Sequence, residues 1–305
     1  MPHILILVAL GLAADAPETP GTYTNPILDI VAADPHVILH EGVYYLYPTC
    51  GGKGYEVFTS TNLVEWKHRG RCFEDQRGGV WAPDVFHHAR GDGRFYLYYT
   101  VGPLNHKQVG VAVADNPLGP FEDKQILVEN AIDAHLFEDW GGALYLYYTD
   151  VARGNRIFVQ PMKNPLRMKG EPKLVIQPAA PWETARGRVT EAPWMLKRAD
   201  TYYLMYSGSG ADGPQYAIGY ATSDSPLGPF EKHPGNPIVK EGGGVFGPGH
   251  HCVVEGPGGE LWMVYHQKKS DEPGWERFLA LDPLWFDDDG VIRAKTTRGA
   301  PQPAP

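Results

Sequence analysis

Five short segments of the chain share one pattern of apolar and aromatic positions: Gly42-Val-Tyr-Tyr-Leu-Tyr47, Gly93-Arg-Phe-Tyr-Leu-Tyr98, Gly142-Ala-Leu-Tyr-Leu-Tyr147, Thr201-Tyr-Tyr-Leu-Met-Tyr206 and Gly259-Glu-Leu-Trp-Met-Val-Tyr265. Each reads as a turn leading into a strand buried on both faces, because the run lacks the alternation of a half-buried strand. Taking Leu46, Leu97, Leu146, Leu204 and Met263 as equivalent positions gives spacings of 51, 49, 58 and 59 residues. That is the length of one four-stranded propeller blade. The pattern therefore predicts an all-β chain folded as a five-bladed β-propeller.

The punctuation between strands recurs too. Asn116-Pro-Leu-Gly-Pro-Phe121 and Ser225-Pro-Leu-Gly-Pro-Phe230 share five residues 109 positions apart, about two blades, and read as equivalent connectors. Ser60-Thr-Asn-Leu-Val-Glu-Trp66 is a third turn, expected to place Trp66 in packing between blades. Ahead of each Gly-aromatic strand lies a second short segment, expected to be the innermost strand of its blade: Ala33-Asp34-Pro-His-Val37, Trp81-Ala-Pro-Asp84-Val85, Ile132-Asp133-Ala-His-Leu136, Thr190-Glu191-Ala-Pro-Trp194 and Gly249-His250-His251-Cys252-Val253. Counted back from the anchors, Asp34 lies 12 positions upstream and Asp84, Asp133, Glu191 and His250 each lie 13 upstream. Ionisable residues are thus expected to recur at one structural position. The starts of innermost strands face the channel of a propeller, so carboxylates far apart in sequence would converge there. A carboxylate at a strand start can also serve nearby backbone amides, but repetition across blades favours a shared pocket. In such a pocket one carboxyl stays protonated beside another that stays ionised.

Length alone would allow two domains in 305 residues. No linker interrupts the repeats, so a single propeller domain over residues 17–300 is expected, with Pro301-Gln-Pro-Ala-Pro305 as a disordered tail. The 36 Gly and 28 Pro suit turns, and the 17 Tyr, 11 Phe and 8 Trp suit strands, which argues against long helices. A formal charge of −9 with no Lys/Arg run excludes nucleic acid and anionic membrane as partners. Ile4 to Ala13 form an apolar run too short to span a bilayer, followed by Ala14-Asp15-Ala16. This form implies a signal peptide over residues 1–16 and a secreted or periplasmic location. The uncharged Met1-Pro2-His3 and the adjoining Pro17 leave an apolar N-terminal strand as the alternative. Cys50, Cys72 and Cys252 are too few for a disulfide framework, though one pair could form in an oxidising compartment. Asp287-Asp-Asp-Gly290 fits a hairpin turn better than a calcium loop.

The ordered set of Asn25-Pro26, Ala33-Asp34-Pro35, Trp81-Ala-Pro-Asp84, Ile132-Asp133-Ala-His-Leu-Phe137, Thr190-Glu191-Ala-Pro-Trp194, Gly247-Pro-Gly-His250 and Arg277-Phe-Leu-Ala-Leu-Asp-Pro-Leu284 resembles glycoside hydrolase family 43. The resemblance implies that Asp34 is the general base, Glu191 the general acid, and Asp133 the third carboxylate that tunes and orients the acid. Inversion needs an ionised carboxylate to deprotonate water on one face of the sugar and a protonated one to serve the leaving oxygen on the other. His250 resembles the family histidine on the central axis, which implies a water-mediated Ca²⁺ site there and no cofactor for the chemistry itself; calcium prefers oxygen ligands, so one histidine does not make such a site. His251 is expected to point away from it, since strand side chains alternate faces. Arg277 resembles the arginine beside the base, with an ordinary surface salt bridge as the alternative, and Trp81 would form an apolar wall for the sugar or pack between blades. Asp84 is expected to touch substrate or serve structure, because matching Ala82-Pro83 to Asp34-Pro35 shifts it by two positions.

The implied activity is exo-acting α-L-arabinofuranosidase on arabinose- or xylose-containing oligo- and polysaccharides, with β-xylosidase and endo-arabinanase as alternatives. A non-catalytic carbohydrate-binding propeller is the alternative of a different class, and loss of a carboxylate would have pointed to it. The related fructan-cleaving propellers carry Asn-Asp-Pro-Asn at the first site, from which Ala33-Asp34-Pro35-His36 departs. No G-x-S-x-G, P-loop or H-E-x-x-H is present.

Overall fold

A computed structural model describes residues 21–305; the expected signal peptide lies outside them. Each repeat becomes one antiparallel sheet whose strands pair in chain order. Blade I comprises Ala33–His40, Val43–Thr49, Gly54–Ser60 and Lys67–Glu74, and blade II Trp81–His87, Phe95–Val101, Gln108–Ala114 and Glu122–Glu129. Blade III comprises Ala131–Glu138, Leu144–Asp150 and Arg156–Asn164, with Arg167–Met168 and Lys173–Ile176 both pairing on its outer edge. Blade IV comprises Thr190–Arg198, Thr201–Gly208, Ala217–Ser223 and Glu231–Lys232, and blade V Gly249–Glu255, Leu261–Lys268, Arg277–Phe286 and Ile292–Ala294. The first strands of neighbouring blades touch in sequence, and that of blade V touches that of blade I, which closes the ring. The fold is a single-domain five-bladed β-propeller, as the repeats predict.

The Gly-aromatic segments are the second strands, and their periodicity has a packing cause. Leu46, Leu97, Leu146, Leu204 and Met263 are fully buried, each in an apolar cluster shared by two adjacent blades; such burial contributes about 2 kcal/mol per side chain. The recurring tyrosine does a second job. Tyr47 of blade I donates to the Pro117 carbonyl of blade II at 2.7 Å, and Tyr98 of blade II to Pro165 of blade III at 2.7 Å. Tyr147 of blade III likewise donates to Pro226 of blade IV. The two Pro-Leu-Gly-Pro-Phe connectors thus occupy the same place, between third and fourth strands, and receive the hydroxyl of the preceding blade. Trp66 packs at the boundary of blades I and V, as expected. Asp287 caps its hairpin by accepting the Asp289 and Val291 amides at 3.1 and 2.9 Å.

Two expectations are corrected. Residues 301–305 are not a disordered tail: Gln302–Pro303 pairs with Thr22–Tyr23, and Ala304 packs against the cluster that buries Tyr23. This ladder lies beside buried Asn25, whose amide donates to the Leu281 carbonyl at 3.0 Å and accepts the Leu281 N–H at 2.9 Å, tying the start of the described chain to blade V. The second correction concerns register. All five innermost strands carry a bulge whose central residue has positive φ: Asp34 (48°), Ala82 (48°), Asp133 (54°), Ala192 (52°) and His250 (44°). These five are the equivalent positions. Glu191 precedes its bulge residue by one and Asp84 follows its own by two, so Asp34, Asp133 and His250 share a position that Asp84 and Glu191 do not. Hairpins of different length between first and second strands hide the offset, two residues (41–42) in blade I against seven (88–94) in blade II.

Candidate active site

The left-handed bulge residues are costly for side chains other than glycine, by about 1–3 kcal/mol each, and persist only where their surroundings fix them. Here the fixing groups repeat. The Ala82 N–H donates to Thr49 Oγ1 at 2.8 Å, the Asp133 N–H to Thr100 Oγ1 at 3.1 Å, and the His250 N–H to Ser207 Oγ at 2.9 Å. The Asp34 N–H donates to His266 Nδ1 at 3.3 Å. In each case the acceptor stands on the second strand of the preceding blade, opposite the residue before its bulge. Blade IV breaks the rule. The Ala192 N–H donates to the Asp133 carboxylate Oδ2 at 3.1 Å, and Thr149, which holds the equivalent position, keeps a buried Oγ1 without a partner. One expected site residue is thereby bonded to the backbone adjoining another.

These bulges lift side chains into a cavity of about 610 Å³ at the mouth of the central channel, lined by Asp34, Trp81, Asp133, Glu191, His250 and Arg277 among others. That is the size of a small-ligand site. The structure thus brings together six of the seven residues singled out from sequence. Asp34, Asp133 and Glu191 are 7%, 7% and 8% exposed, so three carboxylates share a largely desolvated space. Asp34 Oδ1 lies 3.2 Å from Arg277 Nη1, 3.3 Å from His250 Nδ1 and 3.3 Å from His266 Nδ1. Burial pushes the Asp34 carboxyl up, but His250 and Arg277 outweigh it and hold it below the ordinary value. Burial drives His250 below 6.5 and His266 down to about 3, so Arg277 is the cation that persists beside Asp34 at neutral pH.

The other two carboxyls move the opposite way. Burial, followed by the charge of Glu191, raises Asp133 well above its ordinary value. Burial also raises Glu191, against the pull of Tyr216 and Asn155, with Asp34 adding to the rise. The Asp133–Glu191 pair therefore titrates together and retains a proton where an isolated carboxyl would lose it. Tyr216 Oη donates to Glu191 Oε1 at 2.8 Å and Asn155 Nδ2 to Oε2 at 2.6 Å. Tyr216 also stacks on His266, ring centroids 5.5 Å apart at 8°, linking the surroundings of Glu191 to those of Asp34.

Trp81 faces the cavity with Lys107 Nζ 3.4 Å from its ring centroid. That ammonium donates to the Gly79 and Gly102 carbonyls, and burial lowers it to about 8. Asn155, Tyr216, His266 and Lys107 carry no motif, and sequence reasoning missed them. The one available signal was the polar residue closing each Gly-aromatic strand: Thr49, Thr100, Thr149, Ser207 and His266. Leu104, Val31 and Trp275, which are 82%, 60% and 66% exposed, form an apolar rim.

Asp84 does not reach this cavity. It lines an adjoining chamber of about 20 Å³, which shares Asp133 and His250 with the cavity, so of its two expected roles its contacts support the structural one. His251 also turns toward that chamber rather than away, because the bulge at His250 breaks strict alternation; both its ring nitrogens are buried without partners. The donors around the chamber do not suit direct calcium coordination. They are four imidazoles and two carboxylates, Asp84, whose oxygens are engaged by protein donors, and Asp133, whose Oδ2 accepts the Ala192 amide; and among the described residues no group of three or more His, Cys, Asp or Glu could hold a metal ion. All three cysteines are free: Cys50 exposed, Cys72 and Cys252 buried. No helix among the described residues is long and apolar enough to cross a membrane.

Comparison with known proteins gives a consistent answer. The sequence pattern of Glycosyl hydrolases family 43 matches residues 23–292. A crystal structure of a thermostable family-43 glycoside hydrolase is 36% identical, covers 93% of this chain and 99% of its own, and superposes with a TM-score of 0.84. The chain is 27% identical to a β-D-galactofuranosidase of Aspergillus niger over 88% of its length and 83% of the relative. It is 28% identical to an extracellular exo-α-(1→5)-L-arabinofuranosidase of Streptomyces chartreusis, covering 87% and 88%. Other relatives at similar identity bear the names xylosidase/arabinosidase and endo-α-(1→5)-L-arabinanase.

Proposed function

The chain belongs to glycosyl hydrolase family 43 and is a glycosidase, and we propose that it is an exo-acting, inverting α-L-arabinofuranosidase exported from the cell. The observation that carries the reading is electrostatic. One cavity holds Asp34, 3.3 Å from His250 and 3.2 Å from the Arg277 guanidinium, which hold it ionised, together with two buried carboxyls, Asp133 and Glu191, that burial pushes the other way.

Asp34 is the base. Its ionised carboxylate takes a proton from a water molecule as the water oxygen bonds to the anomeric carbon. Glu191 is the acid, giving its proton to the glycosidic oxygen as the bond from that oxygen to the anomeric carbon breaks. The charge of the oxocarbenium-like transition state falls among carboxylates in a site largely shielded from water, where it is stabilised most. Asp133 raises the affinity of Glu191 for its proton and, through the Ala192 amide, holds the strand on which Glu191 stands. Trp81, braced by Lys107, forms a wall for the sugar ring, and Arg277 bonds the sugar together with Asp34.

Two relatives with furanoside names support a furanose in this pocket. β-D-galactofuranose has the ring configuration of α-L-arabinofuranose and differs by one added hydroxymethyl group, so both fit one pocket chemistry. Export rests on the N-terminal apolar run and on relatives named extracellular.

The test is a panel of aryl α-L-arabinofuranoside, β-D-galactofuranoside and β-xyloside, with debranched arabinan. Fastest turnover of the arabinofuranoside is expected, with release of single sugars from arabinan and inversion of the first-formed anomer seen by proton NMR. Glu191→Ala and Asp34→Ala should each lower turnover by several orders of magnitude while remaining folded. Retention of configuration, or near-normal activity in either variant, would refute the assignment of roles.

A further inference from the structure

We propose that Asp84 is a positioning residue that fixes the two aspartate-bearing bulges of blades I and III relative to each other. The inference rests on the reading of Asp34 and Asp133 given above. Blade II contributes Ala82 at its bulge and so places no ionisable group there, yet two residues further on it buries a carboxylate, 3% exposed. The same register position is held by His36 in blade I and His135 in blade III. Asp84 lies between them in the ring and engages both. Its Oδ1 accepts from His135 Nδ1 at 2.7 Å and stands 3.2 Å from His36 Nδ1, while Oδ2 accepts the Leu136 N–H at 3.0 Å.

Each partner is two residues from a carboxylate of the cavity, in Asp34-Pro35-His36 and Asp133-Ala134-His135. The bulges therefore hang from one carboxylate lying beneath them. His36 is also fixed to the blade II strand, where its Nε2 pairs with the Val85 carbonyl at 3.1 Å. Trp194 stacks on the His135 ring, centroids 4.4 Å apart at 26°, and holds the layer from blade IV. A buried charge of this kind is poor value for stability, since an apolar residue of similar volume would serve as well or better. Its worth lies in specifying geometry. Two general-base and acid-tuning carboxylates must stand at a set separation, and an error of about 1 Å in such a site costs on the order of 100-fold in rate.

The experiment compares wild type with Asp84→Asn, His135→Asn and His135→Leu by kcat, KM, pH profile and thermal melting. Asp84→Asn is expected to fold cooperatively, to lose about 10- to 100-fold in kcat with little change in KM, and to displace the alkaline limb of the profile as Asp133 moves against Glu191. The amide N–H of His135→Asn takes the place of Nδ1–H, so this variant should keep most of the activity that His135→Leu loses. An Asp84→Asn enzyme with wild-type kcat and pH limbs but a lower melting temperature would overturn the proposal, leaving Asp84 merely structural. If Asp84→Asn does not fold, equal kcat in the two His135 variants overturns it as well. A wild type that cleaves no glycoside would instead strike at the proposed function, and take this inference with it.

Discussion

Removing one hydroxyl, in Tyr216→Phe, probes the acid without touching any carboxylate. In the folded protein Tyr216 Oη donates to Glu191 Oε1 at 2.8 Å, and this bond lowers the Glu191 pKa against the rise caused by burial. The bond favours the ionised acid, because a carboxylate accepts more strongly than a carboxyl. A hydrogen bond to a charged group is worth about 1.5–3 kcal/mol, and one pKa unit corresponds to about 1.4 kcal/mol. Asn155 still donates to Oε2, so the lower end applies and a shift of about one unit is expected. The sign follows from the role. In its proposed role Glu191 works protonated, so the rate would fall as pH rises through its pKa; loss of the donor raises that pKa and should move the alkaline limb of kcat/KM upward. The assay is a full pH profile on an aryl arabinofuranoside, with melting curves to show that both proteins stay folded. An alkaline limb that stays put or moves downward would refute the assignment of Glu191 as the acid bonded by Tyr216.

Arg277→Ala removes the cation that persists beside Asp34, so the base should protonate at higher pH and the acidic limb, where activity falls as pH drops, should move upward; an unchanged acidic limb argues against Asp34 as the base. Thr49→Val deprives the Ala82 amide of its acceptor and should cost about 1–3 kcal/mol in chemical unfolding. Thr149→Val removes a buried hydroxyl that has no partner and should be neutral or stabilising; equal losses in the two threonine variants would contradict the bulge scheme.

The blade count was legible because an apolar segment buried on both faces leaves an unmistakable run, and five such runs recur at blade spacing. The convergence of Asp34, Asp133, Glu191, His250, Trp81 and Arg277 on one cavity followed from the motifs. What the sequence hid was register. Counting from Leu97 carries Asp84 onto the position of Asp133, whereas the longer hairpin of blade II shifts it two residues deeper. Matching Ala82-Pro83 to Asp34-Pro35 offers the right alignment for blade II, but positive φ at alanine leaves no mark in composition, and nothing singles out Ala192 as the counterpart of Asp34. The C-terminal Pro301-Gln-Pro-Ala-Pro305 misled for a related reason: its proline-rich makeup suits disorder, but one ladder against Thr22–Tyr23 and the packing of half-buried Ala304 on the core order it.

The bulges aim Asp34 and Asp133 into one cavity together with Glu191, which precedes its own bulge by one residue. Each left-handed residue turns its amide toward the preceding blade, and the acceptor it meets determines how firmly its side chain is aimed. At four junctions that acceptor is a neutral group, a hydroxyl or the imidazole of His266, which holds the backbone and, at His266, also stands 3.3 Å from the Asp34 carboxylate. At the fifth it is Asp133, so a carboxylate takes over a structural duty while Thr149 stands idle beside it. The exchange couples the strand of Glu191 to the charge of Asp133: protonating Asp133 weakens its hold on the Ala192 amide, and the charge of Glu191 is in turn one of the causes, after burial, that raise Asp133.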